Sequence, residues 1–355
     1  EFIEAMVRSR AKLSYYAVDR YLNGQYDELM SHATPLEALY QVYRALRSHR
    51  EQFGLVMEDR REYRWILNDN KQIENIEPYE KLLSQKLVEE CMIAANRCGA
   101  RFLADHQASG PFVAHPGFRP DRLDEARKFL SMHLPDLAEE DPASIEGYRN
   151  IMRGLSAEGH NLPLRSMVNR LLTRAELVNS CAAHMGMALP GYTNCTSPLR
   201  KYVDFLVHLQ IKSILHGDDA QQVTPEMLSA LADRLATTRA ATQEAERWLA
   251  SKYLKRLSDG QDVTFKARIM HINSSGFNAR LEDNGLEGFV DLRKDPEKFS
   301  YDKWTASLTS TTRRFQLEQA VELTFKGVDT DNQYRAQFAL VADCGLKPPK
   351  TESAG

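Results

Sequence analysis

Long hydrophobic runs are missing from this 355-residue sequence. No stretch approaches the roughly 18–20 uncharged apolar residues that a membrane-spanning helix needs, so no membrane partner is expected. An excess of one charge is missing too: 46 Lys and Arg stand against 49 Asp and Glu, a formal net charge of −3. That balance argues against a histone-like or polybasic nucleic-acid binder. It leaves room for a local basic groove, because the local field matters more than the sum. Cysteine is scarce. Cys91, Cys98, Cys181, Cys195 and Cys344 are odd in number and scattered, with no Cys-x-x-Cys pair and no zinc-finger spacing. They read as buried thiols of a reducing compartment. The ten histidines show no HxH, HxxxH or HExxH pattern, so no histidine metal site is expected. P-loop, GxGxxG and GxSxG signatures are absent, as are internal repeats and low-complexity stretches. The first residue is Glu1 rather than Met, and EFIEAMVRSR lacks the basic start and apolar core of a signal peptide. The sequence is expected to continue upstream.

What is present reads as a globular protein. Hydrophobic residues make up 43% and charged residues 27%, too apolar for a mainly disordered chain. The length favours two domains. A helix is expected over 8–22, closed by Asn23-Gly24. Another follows Pro35 in PLEALYQVYRALRSH, where Leu36, Leu39, Tyr40, Tyr43 and Leu46 form an apolar stripe. GLVME and EYRWILNDNKQIENI read as two strands, turned at Asn68-Asp69-Asn70. A long helix over 79–105 and a short strand at 110–115 come next. Helices follow over 120–134 and 142–155, with acidic residues near their starts. Three more are expected over 164–189, 197–215 and 225–257.

The pattern changes near Gly260. Between 262 and 341 the runs VTFKARIMHI, GFNARL, EGFVDL, AVELTFKGVD and YRAQFALV alternate, separated by turns such as Ser274-Ser275-Gly276 and Asn284-Gly285. Five such strands in about 80 residues fit a small antiparallel barrel of the OB type. The expected class is α+β, with a helix-rich part over 1–257, a barrel over 258–346 and a loose tail over 347–355.

Three groups of residues could carry chemistry. In Thr196-Ser197-Pro198-Leu199-Arg200-Lys201-Tyr202, Ser197 is a good N-cap and Pro198 suits the first helical position. Arg200 would then lie in the first turn beside unpaired N–H groups, a phosphate site in outline, with Asp204 placed to brace it. An ordinary capped helix with a surface Arg–Asp pair has the same spacing. On the helix around Glu89, Glu90 shares a stripe with Lys86 and Arg97, as on a solvated face. Glu89 aligns instead with Gln85, Ile93 and Asn96, either as a satisfied buried group or as a site residue facing a cleft. Tyr15, Tyr16 and Tyr21 form an aromatic stripe that fits a core or a ligand platform. In the barrel, Phe265, Phe277, Phe289 and His271 interleave with Lys266, Arg268 and Arg280. Stacking aromatics beside phosphate-pairing cations suit single-stranded nucleic acid, and aromatics alternating into the core fit equally well.

These residues resemble a known family. YTNCTSPLRKYVDFLVH resembles the signature of the ribonuclease II (RNB) family, in which Thr-Ser-Pro-Ile/Leu-Arg-Arg/Lys-Tyr follows a Tyr-rich approach. AKLSYYAV, KLVEECMIAAN, FVAHPGF and HMGMALPGY resemble further family segments in the same order, and the barrel resembles the RNA-binding OB domain that closes these enzymes. The resemblance covers residues 1 to 341. It implies a cytoplasmic, monomeric, magnesium-dependent hydrolase that digests single-stranded RNA processively from the 3′ end to nucleoside 5′-monophosphates. By matching position, Arg200 would bind and polarise the scissile phosphate, with Ser197 and Lys201 shaping that anion site. Tyr15 and Glu89 would hold the terminal nucleotide.

This sequence departs from the family at several points. The acidic D-x5-D-x-D-D cluster that holds the metal is absent: Asp218-Asp219 and Glu139-Glu140-Asp141 lack the spacing, so the magnesium ligands are expected upstream of Glu1. Met57 stands where some relatives clamp RNA with an aromatic. Thr242 stands near a glutamate position that Glu244 or Glu246 could fill. Asn194-Cys195 replaces an aromatic pair. The competing expectations are a non-catalytic RNA-binding relative, and an OB-type RNA binder whose helical part is a scaffold.

Overall fold

The computed structural model describes residues 1–25, 29–56, 61–218, 222–259, 263–341 and 345–346. Met57, Asp219, Gly260, Cys344 and the tail from 347 lie outside them. Ser14 opens the first helix, α1 (Tyr15–Leu22), by accepting the N–H of Ala17 on its Oγ at 3.1 Å. The expected start at residue 8 is not used, and residues 2–14 contain no helix, turn or bend. Tertiary anchors hold that segment instead: Phe2 packs on Phe102 at 4.7 Å, and Glu4 binds Lys212 and His216, each at 2.8 Å. Helix α2 (Ala33–Phe53) begins ahead of Pro35, whose missing N–H costs nothing in a first turn.

The expected strand in GLVME is not formed over 54–56, and its last two residues lie outside the described ones. The hairpin lies further on: β1 (Glu62–Leu67) pairs antiparallel with β2 (Ile73–Tyr79). Asn68 closes its turn by accepting the N–H of Gln72 on Oδ1 at 2.9 Å. There follow α3 (Leu83–Asp105), β3 (Phe112–Ala114), α4 (Leu123–His133), α5 (Ile145–Leu155) and α6 (Leu164–Val168). The helix expected over 164–189 ends after five residues. Beyond it β4 (Glu176–Val178) pairs antiparallel with β3. Phe112, Val113 and Ala114 have ladder groups to satisfy, and the 176–178 segment supplies the partner. Then come α7 (Tyr202–His216) and α8 (Pro225–Leu257).

The chain divides into two compact units. The first holds Glu1–Asp59, Lys81–Ala157 and Leu171–Leu235; the second holds Arg60–Glu80, Glu158–Arg170 and Ala236–Gly355. In the first unit α3 is the central element, packed by α1, α2 and α7. Its Ala100 and Leu103 join Phe112, Cys195, Val207 and Ile211 in one buried cluster. Two motif segments about 70 residues apart in sequence meet here. His115 donates its N–H to Ala183 O at 3.1 Å, Met185 donates to His115 O at 3.0 Å, and the His115 and His184 rings stack at 5.5 Å.

The second unit contains a closed five-stranded barrel. Its strands are β5 (Thr264–Asn273), β6 (Gly276–Leu281), β7 (Glu287–Asp291), β11 (Ala320–Asp329) and β12 (Arg335–Leu340), in the order β11-β12-β7-β6-β5. The neighbours pair antiparallel except β7 and β12, which run parallel. Short strands β8 (Ser300–Asp302), β9 (Ser307–Thr309) and β10 (Arg314–Gln316) form a small sheet inserted between β7 and β11. Strict alternation sends Phe265, Ala267, Ile269, Phe277, Ala279 and Leu281 inward. Gly276 sits at a φ of 147°, where a Cβ would stand 2.0 Å from the Val290 carbonyl oxygen, so only glycine fits that start of β6.

Two outcomes are expected. Phe277 is fully buried, so Phe277→Ala should cost about 3–5 kcal/mol in urea unfolding. His184 is largely buried beside His115, and burial holds its pKa down at about 4 against an ordinary 6.5. The unfolded chain takes up a proton that the folded chain refuses. Stability should therefore be level above pH 6.5 and fall as pH drops from 6.5 towards 4. A Tm-versus-pH series should show this slope, and His184→Gln should flatten it.

Candidate active site

The Thr-Ser-Pro-Leu-Arg stretch is a turn rather than the start of a helix. α7 begins at Tyr202 with Lys201 in the cap position, so Ser197 is not the N-cap and Arg200 lies before the first turn. Asp204 is the reason. This carboxylate is 1% exposed and accepts the backbone N–H of Ser197 on Oδ2 at 2.8 Å. It therefore caps the turn from inside the helix and does not brace Arg200. The Ser197 carbonyl accepts the N–H groups of Arg200 and Lys201 at 3.2 and 3.0 Å, which closes the loop.

The residues just ahead are pinned as tightly. Asn96 of α3 donates through Nδ2 to the Tyr192 hydroxyl at 2.8 Å and accepts the N–H of Cys195 on Oδ1 at 2.8 Å. Thr193 donates to Pro111 O at 2.6 Å, and His208 Nε2 lies 2.7 Å from Cys195 O. Burial pushes the Cys195 thiol up to about 11, with Asp204 adding to the shift, so it stays a neutral packing group. Arg200 itself is exposed, and its guanidinium has no hydrogen-bond or ion-pair partner among the described residues. Lys201 beside it is exposed as well.

Of the two glutamates of α3, Glu89 faces a cleft, one of its two expected places, and Glu90 overturns its expectation. Glu90, expected on a solvated face, is 3% exposed. Arg50 of α2 grips it through Nε at 3.0 Å and through a second, shorter contact, while Arg47 approaches at 3.5 Å. Those guanidinium partners make the burial possible, and they come from another helix, so the pattern within α3 could not reveal them. Glu89 is 42% exposed and pairs with Lys81. It lines a cavity of about 150 Å³ with Arg47, Arg50, Lys86, Glu90 and Met187. Tyr15 and Tyr16 are about half exposed, whereas Tyr21 is buried in a small cluster with Leu29 and Leu36. Ser84, in the first turn of α3, donates to the Tyr15 carbonyl at 2.8 Å.

One helix thus ties the pieces together. Tyr15 is held at Ser84, Glu89 stands on α3 itself, and Asn96 fixes the segment leading to Arg200. Ser84 to Asn96 is about 18 Å of helix. Sequence reasoning missed Asn96, Arg50 and His208, and gave Asp204 the wrong partner. Asn96 was placed in line with Glu89, which was the available signal; the others are recognisable only from their three-dimensional partners.

The barrel candidates divide. Phe265 and Phe277 are core residues and offer no ring to a base, because their strands turn them inward. Lys266, Arg268 and His271 are exposed on β5. Arg268 pairs with Glu282 at 3.0 Å, and Arg280 binds Glu287 at 2.6 Å. On α8, Thr242, Glu244 and Glu246 are all exposed. Among the described residues no group of three or more His, Cys, Asp or Glu side chains is arranged to hold a metal ion.

Glu90→Ala should leave Arg50 buried without its carboxylate and cost about 3–5 kcal/mol in chemical unfolding. Glu89→Ala, which breaks only a partly exposed pair, should cost less than about 1 kcal/mol.

Residues 1–217 match the family model described as the RNB domain. Exoribonuclease 2 of Yersinia enterocolitica is 34% identical over 295 residues, 81% of this chain. The chain spans 45% of that relative's length. Among solved structures, Mycoplasma genitalium RNase R in complex with ribose-methylated single-stranded RNA matches with a TM-score of 0.77 at 18% identity. That match covers 92% of this chain and 53% of the other. Yeast Ssd1, a pseudonuclease, matches with a TM-score of 0.57 at 16% identity, over 84% of this chain and 38% of the other. At such identities the structures speak for the fold. The RNB match over more than half of the chain, together with the sequence relative, establishes descent: this chain belongs to the ribonuclease II (RNB) family.

Proposed function

We propose that this chain is the RNA-gripping part of a 3′→5′ exoribonuclease that hydrolyses single-stranded RNA to nucleoside 5′-monophosphates. The observation that carries the proposal is Arg200: an exposed guanidinium without a partner among the described residues, on a turn whose backbone is held by buried polar groups. An arginine unspent on protein groups and carried on a held backbone suits a phosphate, which it can meet with two parallel hydrogen bonds. In this reading Arg200 binds the scissile-end phosphate and stabilises the charge that gathers on it during displacement. Lys201 adds a second cation, and Ser197 shapes the turn through its backbone. Tyr15 and Glu89 hold the terminal nucleotide, with Glu89 exchanging Lys81 for a ribose hydroxyl.

The described residues do not fit a divalent cation, so no step is assigned to a metal on this chain. Magnesium, where the whole enzyme uses it, would take its ligands from the part of the relatives' length that this chain does not span. We assign residues 1–257 to the catalytic domain, 258–346 to an RNA-guiding barrel and 347–355 to a tail. We place the intact protein in the cytoplasm as a monomer.

In the full-length protein, Arg200→Ala should lower kcat by about 10²–10³, as removal of a single charge-stabilising donor does elsewhere, with little change in RNA affinity. Arg200→Lys should recover only part of the loss. Single-turnover digestion of a 5′-labelled oligoribonucleotide reads both. An unchanged rate would remove Arg200 from the chemistry. RNA binding by the wild-type protein with no release of mononucleotides would favour a non-catalytic RNA-binding relative.

A further inference from the structure

The outer face of the barrel holds a polar depression that the site above does not use. Its volume is about 290 Å³, the size for one nucleotide rather than a strand, and its lining includes Arg247, Asn278, Gly288, Asn332, Gln333 and Arg335. The register explains its shape. Asn278 of β6 pairs across the sheet with Phe289 of β7, and Gln337 of β12 pairs with the same Phe289 from the other side. Cross-strand partners share a face, so Phe289 points outward with them, unlike Phe265 and Phe277. It is nonetheless covered, because the Arg335 guanidinium lies over its ring at 4.4 Å. The neighbouring Gly288 belongs to the opposite, interior face. A Cβ there would point inward and strike the Phe338 ring at 2.2 Å.

The hydrogen bonds around this depression set its polarity. Arg335 donates to Asn278 Oδ1 at 2.5 Å, and Arg247 donates to Gln333 Oε1 at 2.5 Å. A guanidinium can only donate, so each amide has to turn its oxygen towards the arginine. Both amide NH2 groups are then left as donors. The one carboxylate in the lining, Glu287, is held by Arg280 through Nε at 2.8 Å and Nη2 at 2.6 Å. Arg247 Nε is buried with no hydrogen-bond partner among the described residues. Gln333 and Tyr334 both sit in left-handed backbone, at φ of 53° and 58°, in the β11–β12 turn that brings Gln333 to the rim. Two adjacent left-handed residues are what a tight turn between antiparallel strands asks for, and the Arg335 N–H closes it on Asn332 O at 3.2 Å.

We propose that this depression is a base-reading subsite for single-stranded RNA that favours uracil, which presents two carbonyl oxygens, over adenine and cytosine. The Arg335 guanidinium, backed by Phe289, is a flat surface on which a base stacks. The amide donors of Asn278 and Gln333 match the two carbonyl oxygens of uracil. Adenine offers no carbonyl, and cytosine presents an amino group where uracil has its second oxygen. This inference rests on the reading that the protein binds RNA, but not on the role of Arg200.

The test is fluorescence anisotropy of the 355-residue chain with labelled U12, A12 and C12 at one fixed salt concentration. U12 should bind about tenfold tighter than A12 or C12, the discrimination that one or two hydrogen bonds supply. Asn278→Asp and Gln333→Glu replace an amide donor with an acceptor that still bonds to its arginine, so the fold should be kept, as circular dichroism would verify. Each should shrink the U12 preference severalfold, whatever uniform loss the added charge brings. Equal affinity of the wild-type chain for all three oligomers would overturn the subsite and leave the exoribonuclease reading standing. An undiminished preference in both variants would overturn it as well. Failure to bind any of them would overturn both readings. Arg200→Ala should leave the preference intact.

Discussion

A carboxylate buried between guanidinium groups is the constraint from which the helical unit follows. Glu90 cannot leave water without a counter-charge, and Arg50 and Arg47 of α2 provide it. The pair fixes which face of α3 meets α2. Successive residues on a helix point about 100° apart, so burying Glu90 turns Glu89 to the flank, where it reaches the cavity and Lys81. Asn96 lies six residues after Glu90, a little under two turns, and is buried against the segment that contains Tyr192 and Cys195. A single rotation of α3 thus places a charged anchor, a half-exposed carboxylate and an amide that grips a distant loop. Replacing the ion pair with apolar residues could preserve stability. It would give up the directional hydrogen bonds that set this rotation.

The same logic, buried polar groups fixing an exposed charge, recurs at Arg200. The carboxylate of Asp204 is spent on a backbone N–H, and the side chains of Asn96, Thr193 and His208 are spent on the strand leading in. None of these groups faces a ligand. Their effect is to remove freedom from the backbone that carries Arg200, so the guanidinium brings less disorder to lose when an anion arrives. A surface arginine on a loose loop would have the same charge without that advantage.

The sequence was legible where one local rule decided the outcome, and opaque where a partner far along the chain did. Helix α8 and the five barrel strands follow from periodicity and turn residues, and they formed as expected. Ser197 misled because Ser-Pro is a strong helix opener, yet Asp204, seven residues on, captures its N–H and delays the helix to Tyr202. Glu90 misled because its stripe contains Lys86 and Arg97, while its real partners lie 40 and 43 residues away. Residues 164–189 misled because their apolar content fits a helix, although Phe112–Ala114 needed a strand beside it. The family resemblance supplied what spacing could not, by nominating Arg200, Tyr15 and Glu89 together. The structure then showed that α3 connects all three.

The barrel illustrates a different limit. Its aromatics and cations interleave in sequence, which suggested that bases stack on phenylalanines. The pleat separates them: Phe265 and Phe277 fill the interior, while Phe289 faces outward beneath Arg335. What remains on that surface is dominated by donors, because arginines claim the oxygens of neighbouring amides and a further arginine occupies the carboxylate. A surface of this kind attracts phosphate without regard to sequence, but it distinguishes bases by the acceptors they display. The helical unit presents Arg200, an exposed charge on a fixed turn, and the barrel presents a shaped set of donors. A substitution around Asn278 leaves the Asn96 and Asp204 network untouched, so the two surfaces can change independently.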